Sequence, residues 1–153
     1  MSTLIADFAN PAHAHAIVEL IDMYSRDEFG SSSELAADVR QRLIPGLIAA
    51  HAVCVLASAE EEFVGVALCL PGFSSFRAKP LLNIHDIAVK PGYRGRGVGR
   101  ALLAAVEEEA RRRGCCKITL EVRADNVPAQ EVYRRVGYQS TSPETFFWSR
   151  PLE

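Results

Sequence analysis

Apolar residues recur at Ile17, Leu20, Ile21 and Tyr24 within "NPAHAHAIVELIDMYS", the three-and-four spacing that gathers side chains on one face of a helix. Asn10 stands before this segment as a cap and Pro11 occupies its first turn, both start signals. Leu35, Val39 and Leu43 repeat the period in "SSSELAADVRQRLIPGL". That pattern predicts a second helix with serine caps at its start and Pro45–Gly46 at its end. The polar run "SRDEFGSSS" between the two reads as a loop. The pattern then changes. "AVCVLAS" and "FVGVALCLPGF" are short β-branched runs on either side of the acidic "AEEE", as in a hairpin. "LLNIHDIAV" is the next strand. It is followed by a helix from Gly97 to Arg113, the strand "CKITLEV", the loop "RADN", a helix "VPAQEVYRRV" closed by Gly137, and a last strand "ETFFWSR".

Two helices, antiparallel strands and then strand-helix-strand-helix-strand predict an α/β (α+β) chain. The later unit calls for a parallel β-α-β crossover, so the central sheet should be mixed, mostly antiparallel, and flanked by helices. No repeat, low-complexity tract or linker interrupts residues 1–153, so one domain is expected.

Composition narrows the function. With 48% hydrophobic and 24% charged residues in 153, the chain can bury a single core. A formal net charge of −2 gives no general attraction for nucleic acid or an anionic membrane. No apolar run approaches the ~20 residues of a membrane span, and the first residues lack the order of a signal peptide. A cytoplasmic protein is expected. Cys54, Cys69, Cys115 and Cys116 match no zinc or redox spacing, and His13 and His15 fall on different helix faces. No metal is expected.

The chemistry concentrates in "VKPGYRGRGVGRALLAAVEEEARRRG", where Gly95, Gly97 and Gly99 alternate with arginines and a helix follows. Glycine within an element costs about 1 kcal/mol relative to alanine, so bare backbone must be needed there. A strand, a glycine turn and a helix start aim several free N–H groups at one point, where the helix dipole adds positive charge. Such a point binds phosphate. A nucleoside-triphosphate loop is excluded because no lysine follows the glycines. A dinucleotide fingerprint would need glycine where Arg100 stands.

The remaining pattern, Arg-x-x-Gly-x-Gly at Arg94, Gly97 and Gly99, resembles the signature of the GNAT superfamily of acetyl-CoA-dependent N-acetyltransferases. "LEVRADNVPAQEVYRRVGY" resembles that family's second segment, with Asn126, Ala129, Tyr133 and the Gly137–Tyr138 pair. The resemblance covers about residues 62–140. It implies that acetyl-CoA lies along the backbone of Ile87, Ala88 and Val89, with its pyrophosphate held by Arg94, Gly95, Arg96, Gly97, Val98, Gly99 and Arg100, and with Asn126 nearby. It also implies a possible homodimer through the last strand.

Acyl transfer to an amine needs a base for an ammonium titrating near ~10 and an acid for a thiolate comparable to cysteine at about 8.5. Tyr133 matches the family's acid position. The N–H of Ile87 is the expected oxyanion donor. His85 stands where many relatives have glutamate, and His85, Asp86 or a water is the candidate base. Adjacent strand residues face opposite ways, so His85 and Asp86 share a site only if the strand is bulged or splayed there. Cys115 and Cys116 precede their strand, which removes them from an acetyl-cysteine route. "EEEARRR" reads as a solvated face with Glu107–Arg111, Glu108–Arg112 and Glu109–Arg113 pairs.

The family's acceptor groove is built by the first two helices, their loop and the adjacent strands, which implies Tyr24, Asp27, Glu28 and Glu121 as contacts. "PGFSSFRAKPLLNIHDIAV" is locally similar to diamine and polyamine acetyltransferases, although His85 replaces their glutamate. A small cationic or amino-acid-like amine is the expected acceptor. A protein N-terminus or lysine and a noncatalytic acetyl-CoA sensor are the alternatives.

Overall fold

The computed structural model describes residues 1–141 and 143–152. Its elements run β1 (Ser2–Ile5), α1 (Pro11–Ser25), α2 (Ala37–Ala49), β2 (Val53–Ala59), β3 (Glu62–Ser74), β4 (Lys79–Val89), a 3₁₀ turn (Pro91–Tyr93), α3 (Val98–Arg112), β5 (Ile118–Leu120) and α4 (Val127–Arg135). The strands form one sheet in the order β1-β2-β3-β4-β5. All neighbours are antiparallel except β4 and β5, which are parallel. This is the expected mixed sheet. Glu60 and Glu61 join β2 to β3 with φ of 53° and 65°, both positive as in a type I′ hairpin turn.

Two apolar layers cover the sheet. On one face Val53, Val55, Val64, Leu82 and Ile84 pack with Val98, Leu102, Leu103 and Val106 of α3. On the other, Cys54, Leu56, Val66, Leu68 and Ala88 pack with Ile17, Leu20 and Ile21 of α1 and Leu47 of α2. Alternate positions of β2 thus feed opposite layers, as strand pleating requires.

Several boundaries differ from the sequence reading. β1 was not expected; it is a four-residue edge strand with Leu4 and Ile5 partly exposed. The expected serine caps of α2 do not act as caps, because Ser31 and Ser33 donate their N–H groups to Ser25 O at 3.0 and 3.2 Å, and α2 starts only at Ala37. Nor does Pro45 end α2. The helix runs on to Ala49 and brings Leu47 into the core at 7% exposure, so packing overrides the local breaker. β5 is only three residues long. "ETFFWSR" forms no strand; Phe146, Phe147 and Trp148 are exposed and β5 remains the sheet edge.

The charged run on α3 is also rearranged. Glu107 pairs with Arg111 at 2.6 Å, as expected, but Arg112 turns from Glu108 to Glu109 at 2.7 Å, and Arg113 meets the same carboxylate. The Glu109 side chain is only 5% exposed. Its two arginines hold its pKa down to about 2. Burial makes this carboxylate the shared anchor of the helix end.

Candidate active site

A cavity of about 1220 Å³ opens where α1, β4, α3, β5 and α4 converge. Its lining includes Gly95, Gly97, Gly99 and Arg100 around the start of α3, Tyr24 of α1 with Asp27, Glu28 and Phe29 of the loop that follows it, and His85 of β4, Glu121 and Arg123 after β5, and Tyr133 of α4.

The glycine end is made of main chain. Gly97 is the N-terminal flanking residue of α3 with φ 86°, and no side chain caps this helix. The first-turn N–H groups therefore face the cavity without an intramolecular acceptor from a cap. Gly95 has φ 75°, a conformation that side chains disfavour. Gly99 is different. It sits in the helix, its φ is not positive, and beyond its chain neighbours and its own helix backbone an added Cβ would meet nothing within 4 Å. Neither conformation nor protein packing requires glycine at position 99. What its bareness does provide is room for a ligand to touch the helix backbone, in front of N–H groups suited to an anion.

The sequence-derived cofactor residues Ile87, Ala88, Val89, Arg94, Gly95, Gly97, Gly99, Arg100 and Asn126 all line this cavity. Arg96 and Val98 do not. The Arg96 guanidinium lies 5.3 Å from the Tyr93 ring centre, and the Val98 side chain is 1% exposed in the core. Asn126 is the α4 cap: its side-chain oxygen accepts from Ala129 N at 3.3 Å. That bond fixes the start of the helix carrying Tyr133.

Tyr133 packs against the α3-side layer, with its ring 6.0 Å from that of Tyr138. Burial raises its pKa to about 12, so its hydroxyl keeps its proton throughout the neutral range.

β4 is bulged at the place where His85 and Asp86 would need it to share a site. Leu68 pairs with Asp86 and Cys69 with Ile84, which leaves His85 as the extra residue. The bulge reverses the alternation: Leu82 and Ile84 before it and Ile87 and Val89 after it belong to the α3-side layer, whereas Ala88 belongs to the α1 side. His85 is exposed and lines the cavity. Asp86 is half-buried and does not line it directly, yet its charge helps raise the pKa of the lining Tyr24. Burial raises the Asp86 pKa itself, opposed by His85. The two polar residues thus meet the site from different depths. Just upstream, Asn83 donates to Thr119 Oγ1 at 3.1 Å and ties β4 to β5.

The wall beside α1 is built from side chains of distant segments. Gly30 is obligatory there, since a Cβ would lie 2.2 Å from Tyr24 O; this close approach folds the loop back onto the end of α1. Asp22 anchors the same loop. Its Oδ1 accepts from Leu35 N at 2.8 Å and its Oδ2 pairs with Arg26 at 2.9 Å and Arg40 at 3.0 Å. Burial alone would raise the Asp22 pKa, but these partners bring it below the ordinary value. Arg94 Nη2 donates to Asp27 Oδ2 at 2.7 Å, which lowers the Asp27 pKa. Arg123 donates to Glu28 O at 3.2 Å and lies 5.5 Å from the centre of the Phe29 ring.

Phe29, Arg123 and Phe147 line the cavity and were missed in the sequence. The signal for Phe29 was an aromatic inside a polar loop; Arg123 and Phe147 gave none, because their role depends on contacts across the chain. Cys115 and Cys116 lie outside the cavity lining, and burial raises the Cys115 pKa. Among the described residues no group of three or more His, Cys, Asp or Glu could hold a metal, and no helix is long and apolar enough to cross a membrane.

Residues 17–138 match the family described as the acetyltransferase (GNAT) family. The chain is 33% identical to aminoglycoside N(6′)-acetyltransferase type 1 of Stenotrophomonas maltophilia over 77% of its own length and 79% of that protein. It is 47% identical to streptothricin acetyltransferase of Streptomyces lavendulae, over a segment that is 37% of this chain and only 30% of that relative. A crystal structure of a probable acetyltransferase superposes with a TM-score of 0.84 at 25% identity, covering 100% of this chain and 99% of the other.

Proposed function

The chain belongs to the acetyltransferase (GNAT) family and is an acyltransferase, and we propose that it carries an acetyl group from acetyl-CoA directly to a primary amine of a small cationic or amino-acid-like molecule. The observation that carries the donor assignment is Gly99, bare within a helix where nothing in the protein needs it bare. A pyrophosphate held against the N-terminus of α3 by the main chain of Gly95, Gly97 and Gly99, with Arg100 beside it, accounts for that bareness. The family generally uses acetyl-CoA, which supplies an acyl group on a good leaving sulfur.

In this reading the chain's own residues manage two protons. His85, exposed on the bulge, accepts the proton that the attacking ammonium must lose, directly or through water. The amine nitrogen then bonds to the acyl carbon as the carbon–sulfur bond breaks. Tyr133 offers its proton to the sulfur. With a pKa of about 12 in the free protein, above the ~8.5 of an ordinary thiol, Tyr133 acts first as a hydrogen-bond donor to the developing charge. Glu28 and Glu121, both in the cavity lining, have no ion-pair partner among the described residues. This supports a cationic acceptor, as does the similarity to an aminoglycoside acetyltransferase.

Titration calorimetry of wild type and Gly99→Ala with acetyl-CoA tests the donor assignment. A helical Gly→Ala change at an open site should stabilise folding by about 0.4–1 kcal/mol. Acetyl-CoA affinity should nevertheless fall by roughly tenfold or more, as expected for losing about 1.4 kcal/mol of contact. Equal affinity in a stabilised variant would remove the pyrophosphate from this position.

A further inference from the structure

The ion pair between Arg94 and Asp27 joins two parts of the cavity that acyl transfer would use separately. Arg94 closes the 3₁₀ turn just before Gly95, and its Nε donates to Val89 O at 3.1 Å. Its Nη2 reaches across to Asp27 Oδ2 at 2.7 Å, while Asp27 Oδ1 accepts from Phe29 N at 3.2 Å. Only one oxygen of Asp27 therefore depends on Arg94; the other is held by its own loop. The Asp27 side chain is 19% exposed and that of Arg94 53%. Asp27 is thus the better buried of the cavity acids that end in this loop, and the one whose charge is already neutralised.

We propose that Asp27 is a specificity-determining acid for the acceptor, masked by Arg94 until the pyrophosphate draws that guanidinium away. This rests on the reading of the glycine turn as a pyrophosphate site. A partly exposed ion pair is weak and easily exchanged. A diphosphate offers the guanidinium more charge and a matching fork of acceptors than one carboxylate oxygen does. When the exchange occurs, Oδ1 stays bonded to Phe29 N and Oδ2 is left facing the cavity as an anionic acceptor for an ammonium. The chain would then favour a cationic acceptor after the donor has bound, and by reciprocity a bound cation would tighten the donor.

The test needs no knowledge of the acceptor. Acetyl-CoA is titrated into wild type, Asp27→Asn and Glu28→Gln, the last making the same charge change in the same loop without a contact to Arg94. Asn keeps an oxygen for Phe29 N but competes poorly for Arg94. The mask predicts acetyl-CoA binding about two- to fivefold tighter in Asp27→Asn than in wild type, the scale of a released surface pair, with Glu28→Gln changed less. Equal binding by wild type and Asp27→Asn, weaker binding by Asp27→Asn, or the same tightening in both variants would overturn the mask while leaving the donor site intact. Failure of all three proteins to bind acetyl-CoA would instead overturn the pyrophosphate reading. Asp27→Ser, smaller and also neutral, should reproduce the Asp27→Asn result if that variant folds poorly.

Discussion

At the α3 end of the cavity the wall is main chain: Gly95 and Gly97 in positive φ, Gly99 bare, and a helix start without a side-chain cap. At the α1 end the wall is side chains from segments far apart in sequence, with Arg94 reaching Asp27 and Arg123 reaching Glu28 and Phe29. The first end is specified locally, so a run of a few residues determines its shape and its charge preference. The second exists only after folding. That difference explains why the donor class follows from a short motif whereas the acceptor is described only by charge and size.

The contrast can be broken at the junction and sharpened at its edges. Tyr133 serves neither end alone, so Tyr133→Phe should lower kcat by about 100-fold or more, the usual scale of a lost proton donor. Acetyl-CoA affinity should stay within about twofold. A stopped assay with calorimetry on the same preparation separates the two; equal loss of both would make Tyr133 part of the binding wall. Arg123→Ala should act on the side-chain end only, raising acceptor KM roughly fivefold as Phe29 and the loop lose their clasp. Donor affinity should not follow, and a parallel fall would show that the two ends are one unit.

The smallest effect concerns Asp86. Burial raises its folded pKa above the unfolded value, so the folded state binds this proton more tightly. Its charge therefore costs no stability below the ordinary carboxylate range, and the cost appears as pH rises through the folded pKa. Asp86→Asn should raise Tm at neutral pH, and the advantage over wild type should vanish in acid. A Tm difference that does not change with pH would mean that Asp86 is not held at a cost.

Much of this could be read from the chain. The glycine turn and the capped α4 with Asn126 and Tyr133 rest on local rules, and the structure has both; the bulge at His85 was only a condition for His85 and Asp86 to share a site, and with it present Asp86 still does not line the cavity. α2 was misread because Pro45 is a local breaker and the burial of Leu47 is not a local fact. Glu109 resembled its exposed neighbours because i to i+4 spacing does not say which carboxylate the helix turns inward. β1 and the tail failed for a shared reason: short edge segments take their state from what lies alongside them. Arg123 and Phe147 belong to the same class, being ordinary residues until another segment arrives.

The single extra residue in β4 also determines how the strand responds to insertion and deletion. Substituting His85 changes one side chain, whereas deleting it removes the bulge and joins Ile84, opposite Cys69, directly to Asp86, opposite Leu68, so the downstream register against β3 is kept. Asp86 would stay opposite Leu68 and Ile87 opposite Ala67, each on its present face, and only the extra residue that lines the cavity would be lost. A chain shorter by that one residue would be this strand in unbroken alternation without its candidate base, and homologues that lack the extra residue should align to it with a one-residue gap at His85.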